Sequence, residues 1–484
     1  MASMITNKNI QSYFLIYAFY APLCVFVAVI QLLLGTQLHI FLTACLLLII
    51  AVSPLLLFGV TDITALFAFG LLSKYSILPF LIKTLIGERI DVGLLDVDKT
   101  FMVILVGSLI VVIALAASKT IRIRKTLLDI SFSDVQLKLL GFLAYGLGFV
   151  LMMLHVFAHP KLIGGEITQG FGGYGSFLGL LFLGVVATTA HLAKTDSRRV
   201  VNIPIVLMLG GSLIISLADN LKLYFTLSLL SYLITLFIFR RKLSIRYVVV
   251  GFLLVLLYVS IVMPTIHSLR TPSFAEANYQ QRAEIAMEFI YRHVTRTGGS
   301  SLRGAAIVSY DYYPKLHSPI IDRLEMVQDL DVVLNGINRN NTVGWQPVYL
   351  ALESALPSIL APNKRNEADV DFIAYQIGLT PQLENWRRTI GIFGVSYAMF
   401  MWPGWMILTF FLLSSYFLMI RKLVAPSVMG NLFGAYLLVR LGIGFSEADI
   451  SSPIVTMVRT IPVDLVTIFI LLKITRIMQK ERVS

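Results

Sequence analysis

The chain has 484 residues, of which 57% are apolar and 14% are charged, and its mean hydropathy is +0.82. These values exclude a soluble globular protein and indicate an all-α polytopic membrane protein. The net charge of +12 does not indicate nucleic-acid binding, because the excess of Lys and Arg lies in the apolar part of the chain and its short loops.

Continuous apolar stretches approach the roughly 20 residues that a helix needs to cross a bilayer, so helices are predicted rather than a barrel. The sequence predicts about twelve spans, at 13–35, 38–60, 62–83, 100–117, 137–157, 174–191, 203–218, 221–239, 247–266, 391–419, 427–445 and 460–478. The third contains Lys74 and Pro79, and the alternative for it is a re-entrant or interfacial segment.

The loops between the predicted spans alternate in charge. Every second loop is basic, as at 119–125, 194–199 and 240–246, whereas 84–99 carries four acidic residues and 158–173 is rich in glycine. Basic short loops mark the cytoplasmic side of a membrane. Both termini are therefore predicted to be cytoplasmic, and the long loop 267–390 extracytoplasmic.

The chain is thus divided into 1–266 with spans one to nine, the loop 267–390, and 391–484 with spans ten to twelve. The loop has twelve Lys and Arg against thirteen Asp and Glu, so it is close to neutral. Amphipathic patterns predict helices at 275–295, 321–334 and 346–360, the last apolar enough to lie on the membrane surface. We expect a small helical cap lying over the bundle.

The cations of this cap are candidates to bind a phosphorylated lipid head group, because guanidinium groups bind phosphate bidentately and stay charged. The alternative is that each pairs with a nearby acid on a solvated surface. The cations considered are Arg270, Arg282, Arg292, Arg296, Arg303, Arg323, Arg339, Lys364 and Arg365.

Two further arginines lie next to or inside predicted spans. Arg440 falls inside span eleven near its outer end, and Arg459 lies where span twelve begins. Ionisable residues at membrane depth usually face the bundle interior and have a function, and the alternative is a side chain that extends to the interface. Glu447 and Asp449 in the adjoining loop are their candidate partners.

Two segments resemble the oligosaccharide repeat-unit polymerases of the Wzy type. Residues 357–364 read Pro-Ser-Ile-Leu-Ala-Pro-Asn-Lys, where that family has P-R-x-L-W-P-x-K. Tyr397, Phe400, Trp402 and Gly404 follow the family's E-x-Y-x-N-F-G-x-x-G pattern at the start of a span. The chain departs from these patterns at Ser358, Ala361, Val395 and Met399.

The resemblance implies a GT-C-like, metal-independent glycosyltransferase without a cofactor, in the inner membrane of a bacterium. It would join repeat units carried on undecaprenyl diphosphate into a surface polysaccharide such as O-antigen, and a chain-length regulator and a flippase are further expected partners. For such a reaction the candidate catalytic residues are Arg323, Arg440 and His317, and the candidate substrate-binding residues are Arg270, Arg282, Arg292, Lys364, Arg459 and Tyr397.

The general base remains open among His317, His267, Asp322 and Glu325, which are chosen by side-chain type alone. Two other functions are compatible with the same number of spans. A glycan ligase that moves a finished chain to an acceptor has the same fold and arginines, and a flippase for lipid-linked oligosaccharides also has about twelve spans.

Overall fold

A computed structural model describes residues 16–130, 132–158, 177–195, 202–218, 223–239, 326–337, 341–356, 369–378, 390–446 and 449–481, together with Glu288 and Tyr312. This part of the chain is helical throughout and contains no β-strand; Asp62 and Ser427 form an isolated antiparallel bridge. The predicted ninth span, 247–266, and the predicted helix 275–295 lie outside the described residues, except for Glu288.

Sixteen α-helices are described. In chain order they are α1 (Ala21–Leu33), α2 (Leu38–Phe58), α3 (Ile63–Tyr75), α4 (Ile77–Leu85), α5 (Val97–Thr120), α6 (Asp134–Ala158), α7 (Leu178–Lys194), α8 (Ile203–Ala218), α9 (Leu223–Ile238), α10 (Val327–Gly336), α11 (Gln346–Ala355), α12 (Asp369–Gln376), α13 (Gly391–Leu423), α14 (Leu432–Ser446), α15 (Ser451–Val455) and α16 (Ile461–Glu481). Single turns of π-helix at Ile16–Tyr20 and Thr456–Thr460 precede α1 and α16.

The described part of the chain is an all-helical membrane protein. Five of its helical stretches are long and apolar enough to cross a bilayer, and the bent pair α3–α4 raises the number to six if it forms one span. Large apolar side chains such as Leu42, Ile49 and Phe411 point out of the bundle, as expected where helices meet lipid. The pair α3–α4 is bent by 40° at Ser76, within the segment 62–83 that the sequence left open.

Polar contacts define one end of the bundle, which we call the 84–99 end after the loop that it contains. His39 Nε2 lies 2.9 Å from Asp98 Oδ1, and Gln31 Nε2 donates to the backbone oxygen of Glu88 at 2.9 Å. The α1–α2 connection therefore meets the α4–α5 connection there.

The opposite end, which we call the 119–128 end, joins other connections. Lys119 Nζ lies 2.5 Å from Asp62 Oδ2, and the backbone N–H of Leu127 donates to the oxygen of Lys422 at 3.0 Å. The basic segments 119–125 and 421–422 thus lie together, apart from the acidic loop, in the alternation that the sequence predicts.

Helix α13 is folded back on itself. Its backbone leaves helical geometry at Met401 and Trp402, and Ser396 Oγ lies 3.0 Å from Thr409 Oγ1. Thirteen residues of straight helix would separate these positions by about 20 Å. The two legs of α13, 391–400 and 403–423, therefore form a helical hairpin with its tip at 401–403.

Neighbouring helices give the direction of each leg. Phe393 packs against Gly107 and Tyr397 lies near Lys99, so the first leg runs toward the N-terminus of α5 as its residue numbers rise. Arg421 on the second leg donates to the backbone oxygen of Ser118, near the C-terminus of α5. The predicted span 391–419 is thus replaced by a re-entrant leg and a second leg of 21 residues, about 32 Å long.

The first leg lies inside the protein rather than in lipid. Residues 391–399 are all buried, and the ring of Phe393 stacks on Tyr75 at a centroid distance of 4.4 Å. A re-entrant helix begins at membrane depth, which is tolerated only where that end is enclosed by protein or lines a cavity. Ile390 and Gly391, where the first leg begins, are both buried.

Candidate functional site

Helix α10 belongs to the long loop but is inserted into the bundle. Its residues 327–334 are all buried, and the backbone N–H of Met326, just before it, donates to the oxygen of Lys74 at 3.1 Å. A cap lying over the bundle would instead expose one face of this helix to water. Helix α10 is therefore part of the protein core.

Asp331 fixes α10 to the N-terminus of α5. Its carboxylate accepts hydrogen bonds from the backbone N–H of Leu95 at 2.7 Å, from that of Asp96 at 3.1 Å and from Thr100 Oγ1 at 2.7 Å. The N-cap of α5 is Asp96, whose carboxylate accepts from the backbone N–H of Lys99. A second carboxylate at this position interacts favourably with the helix dipole. Asp331 thus holds the start of a helix that lies more than 200 residues away in the chain.

Lys99 makes the reciprocal contact. Its ammonium donates to the backbone oxygen of Leu334, near the C-terminus of α10, and lies 5.5 Å from the ring centroid of Tyr397. Cations are favoured at helix C-termini for the same electrostatic reason. Asp331 and Lys99 together hold α10 and the first leg of the hairpin in one place.

Arg440 makes an ion pair inside the bundle. Its Nε lies 3.3 Å from Asp464 Oδ2, and the two side chains are 12% and 8% exposed. The hydroxyl of Tyr436 donates to the same carboxylate oxygen at 2.7 Å. A charged side chain at membrane depth requires a partner, and the carboxylate of Asp464 provides one. We call these three residues the Arg440 cluster.

The Arg440 cluster depends on a glycine in a third helix. A Cβ atom at Gly179 would overlap Tyr436 Oη and would lie 2.9 Å from Asp464 Oδ1. Gly179 is the second residue of α7, so α7, α14 and α16 approach one another closely at this point. The absence of a side chain there leaves room for the ion pair.

Asp464 was not among the partners expected from the sequence. Asp449, one of the two residues expected, accepts from the backbone N–H of Ser452 at 2.7 Å, and Glu447 lies outside the described residues. The sequence feature that could have identified this partner is the position of Asp464 in the first turn of an apolar span, at a depth close to that of Arg440. A charge of opposite sign at matching depth in another span points to pairing more directly than proximity in sequence does.

The structure describes two more of the predicted site residues. Arg459 Nη1 lies 3.4 Å from the backbone oxygen of Ser354, so the start of the last span contacts the C-terminal turn of α11. Tyr397 is 2% exposed and lies on the first leg of the hairpin. Tyr397 is thus a core residue beside Lys99, whereas Arg459 lies at the 84–99 end of the helices.

The remaining predicted site residues lie outside the described part of the chain. They are Arg323, His317, Arg270, Arg282, Arg292 and Lys364, and the alternative bases His267, Asp322 and Glu325 lie there as well. Among the residues that are described, no group of three His, Cys, Asp or Glu side chains is arranged to hold a metal ion.

A buried lysine in α4 was also missed by the sequence reasoning. Lys83 is fully buried, pairs with Glu88 Oε2 at 2.7 Å and donates to the oxygen of Val92 at 2.9 Å. Its ammonium also lies 4.2 Å from the ring centroid of Tyr312, a residue of the long loop. Lys83 thus ties the loop 84–99 and the long loop to α4.

The described geometry joins the long loop to the bundle through several contacts, among them those of Asp331, Lys83 and Arg459, and places a buried arginine, Arg440, inside the bundle. Comparison with known proteins adds no relative, since no family model, no curated protein and no solved structure matches the chain.

Proposed function

We propose that this protein is a membrane-embedded glycosyltransferase that polymerises oligosaccharide repeat units carried on undecaprenyl diphosphate. The product is a surface polysaccharide such as O-antigen, capsule or exopolysaccharide, made at the periplasmic face of a bacterial inner membrane. In this proposal the 84–99 end of the bundle faces the periplasm, and both termini and the 119–128 end face the cytoplasm.

The observation that carries the proposal is the insertion of the long loop into the bundle. Helix α10 of the loop is buried among the spans, as is the first leg of α13 that follows the loop, so residues of this loop meet the bundle below its surface. A substrate with a lipid tail and a polar diphosphate sugar needs polar groups at that depth, next to apolar helices. Enclosed breaks in helices at membrane depth are where such groups are tolerated.

In the proposed reaction, a sugar hydroxyl of one lipid-linked unit attacks the anomeric carbon of the other. A new carbon–oxygen bond forms as the bond from the anomeric carbon to the diphosphate breaks, and undecaprenyl diphosphate leaves with the electron pair. A base, for which His317 is the first candidate, accepts the hydroxyl proton. Arg323 and Arg440 stabilise the charge that grows on the leaving diphosphate.

The remaining cations are assigned supporting roles because they also attract the negatively charged diphosphate. Arg270 and Arg292 bind the diphosphate, whereas Arg282, Lys364 and Arg459 bind other parts of the substrate or hold the long loop in place around it. Tyr397 holds the first leg of the hairpin against Lys99 and so affects the site from within the core.

Deletion of the gene followed by electrophoresis of lipid-linked and surface glycans tests the function. Single repeat units on the surface acceptor are the expected result. Finished polymer that stays on its lipid carrier would instead identify a ligase. Repeat units trapped on the cytoplasmic side would identify a flippase.

Arg323→Ala tests the site within the same assay. The loss of one such donor typically reduces the rate by about two to three orders of magnitude, so long chains should disappear while the protein level stays normal. Arg387→Ala in the same loop, a cation that is not among the candidates for substrate binding, is the matched control and should leave chain length unchanged. Polymer of normal length in Arg323→Ala would remove this residue from the site.

A further inference from the structure

Helix α11 has two apolar faces, and the part of the chain that the structure describes covers only one of them. Pro347, Leu350, Ala351 and Ala355 are buried. The opposite side carries an apolar stripe at positions i, i+4, i+7 and i+11, whose members are between 42% and 63% exposed: Trp345, Tyr349, Leu352 and Leu356. A helix at a water-exposed surface would have polar residues at these positions. The stripe therefore requires an apolar medium.

Both ends of α11 lie at the same level of the bundle. Trp345 packs on Phe400 at the hairpin tip with ring centroids 4.9 Å apart, and the second leg of α13 begins there. Nine residues later, the backbone oxygen of Ser354 accepts from Arg459, just before α16 begins. The second leg of α13 and α16 each have 21 residues, about 32 Å, which matches the hydrocarbon thickness of a bilayer.

A helix whose two ends are fixed to the starts of two spans lies parallel to the membrane plane. The apolar stripe also continues the lipid-facing surface of α13, where Trp402, Ile407 and Phe411 are exposed. Tryptophan and tyrosine are enriched at the level of the lipid head groups. The stripe has this composition, with Trp345 and Tyr349 at one end and two leucines at the other.

We propose that α11 is an interfacial helix embedded in the phospholipid leaflet at the 84–99 end, with its stripe facing the acyl chains just below the head groups. Trp345 and Tyr349 are suited to this boundary between head groups and acyl chains, and Arg459 anchors the C-terminal turn of α11 through Ser354. The leaflet thereby holds α11, and through Trp345 it supports the hairpin tip. This proposal depends on the membrane location of the protein and is independent of its enzymatic activity.

Spin labelling of the full chain in lipid nanodiscs tests the proposal. Leu352→Cys is made in a background where Cys24 and Cys45 are replaced by alanine, and a nitroxide is attached to the new thiol. Collisions with oxygen, which concentrates in lipid, are then compared with collisions with a water-soluble nickel chelate. Ile407→Cys is the control for a lipid-facing site, and Asp98→Cys, whose native side chain is 78% exposed, is the control for water.

We expect the label at position 352 to collide more often with oxygen than with nickel, as at position 407, and Asp98→Cys to show the reverse. Greater access to nickel at position 352 would place α11 in water and overturn the proposal. Low access to both reagents would also overturn it, because another part of the protein would then cover the stripe. Tyr349→Cys repeats the measurement in case Leu352→Cys does not fold.

Discussion

The hydroxyl groups of Ser396 and Thr409 lie 3.0 Å apart, although they belong to one apolar stretch that a straight helix would extend over about 50 Å. This hydrogen bond is fully buried and joins the two legs of α13. It places the first leg among the loop helix α10 and the spans, where the candidate site is proposed.

A disulfide tests this arrangement directly. Ser396→Cys combined with Thr409→Cys, without Cys24 and Cys45, should form an intramolecular disulfide under mild oxidation, because a bridge requires Cα atoms within about 7 Å. The bridge is detected by mass spectrometry of peptides and by loss of maleimide labelling. The control pair, Ser396→Cys with Ser415→Cys, should remain reduced. Equal labelling of both pairs after oxidation would mean that α13 is straight.

The Arg440 cluster gives a test that separates a structural role from a catalytic one. Asp464→Ala leaves a buried arginine without its carboxylate, which we expect to destabilise the protein by about 3–5 kcal/mol and to lower its level in membranes. Thermal denaturation of the purified protein measures this loss. The double variant Arg440→Met with Asp464→Leu removes both charges and should restore most of the stability.

Polymer synthesis by that double variant then decides the role of Arg440. If Arg440 stabilises the diphosphate, the restored protein should make no long chains. A stable double variant with normal polymer would show that the ion pair only holds α14 against α16, and Arg440 would leave the list of catalytic residues.

Gly179→Ala tests the close approach of three helices. The added methyl group would overlap Tyr436 Oη, so we expect a destabilisation of about 1–3 kcal/mol, measured as a lower melting temperature. Gly146→Ala, in the interior of α6 with no atom within 4 Å of the new Cβ, is the matched control. It should be neutral or stabilise by up to about 1 kcal/mol, since alanine favours helix. Similar effects of the two changes would argue against tight packing at Gly179.

Asp331→Ala should loosen the long loop from the bundle. The change removes the acceptor of the buried Thr100 hydroxyl, at a cost of about 1–3 kcal/mol for an unsatisfied buried group, and it also removes the acceptor of the partly buried backbone N–H groups of Leu95 and Asp96. Limited proteolysis should then cut the loop faster than in the unaltered protein.

Asp98→Ala is the control for Asp331→Ala, since Asp98 lies three residues from the Leu95 backbone and is exposed. Its pair with His39 is at the surface and contributes less than about 1 kcal/mol. Unchanged proteolysis in Asp331→Ala would show that other contacts hold α10 in place.

The sequence by itself determined the membrane class and most of the helices. The predicted spans 38–60, 100–117, 137–157, 203–218 and 221–239 correspond to α2, α5, α6, α8 and α9 within a few residues at nearly every end. This agreement has a local cause. An apolar stretch of sufficient length forms helix in lipid because only its own backbone can satisfy its N–H and C=O groups. The number of twelve spans and the polymerase function remain predictions.

Only the tertiary structure decided which charged residues pair and where α13 reverses its direction. The sequence of α13 predicts one span, because the backbone hydrogen bonds of each leg are local. The reversal at 401–403 instead depends on packing between the legs and against α5. Phe393 packs against Trp405 and Gly107, and Ser396 accepts a hydrogen bond from Thr409. In the same way, Asp464 becomes the partner of Arg440 because α14 and α16 are neighbours, and Asp331 binds the start of α5 across the fold. Helix formation is local, whereas the choice of neighbours is set by packing between segments far apart in the chain.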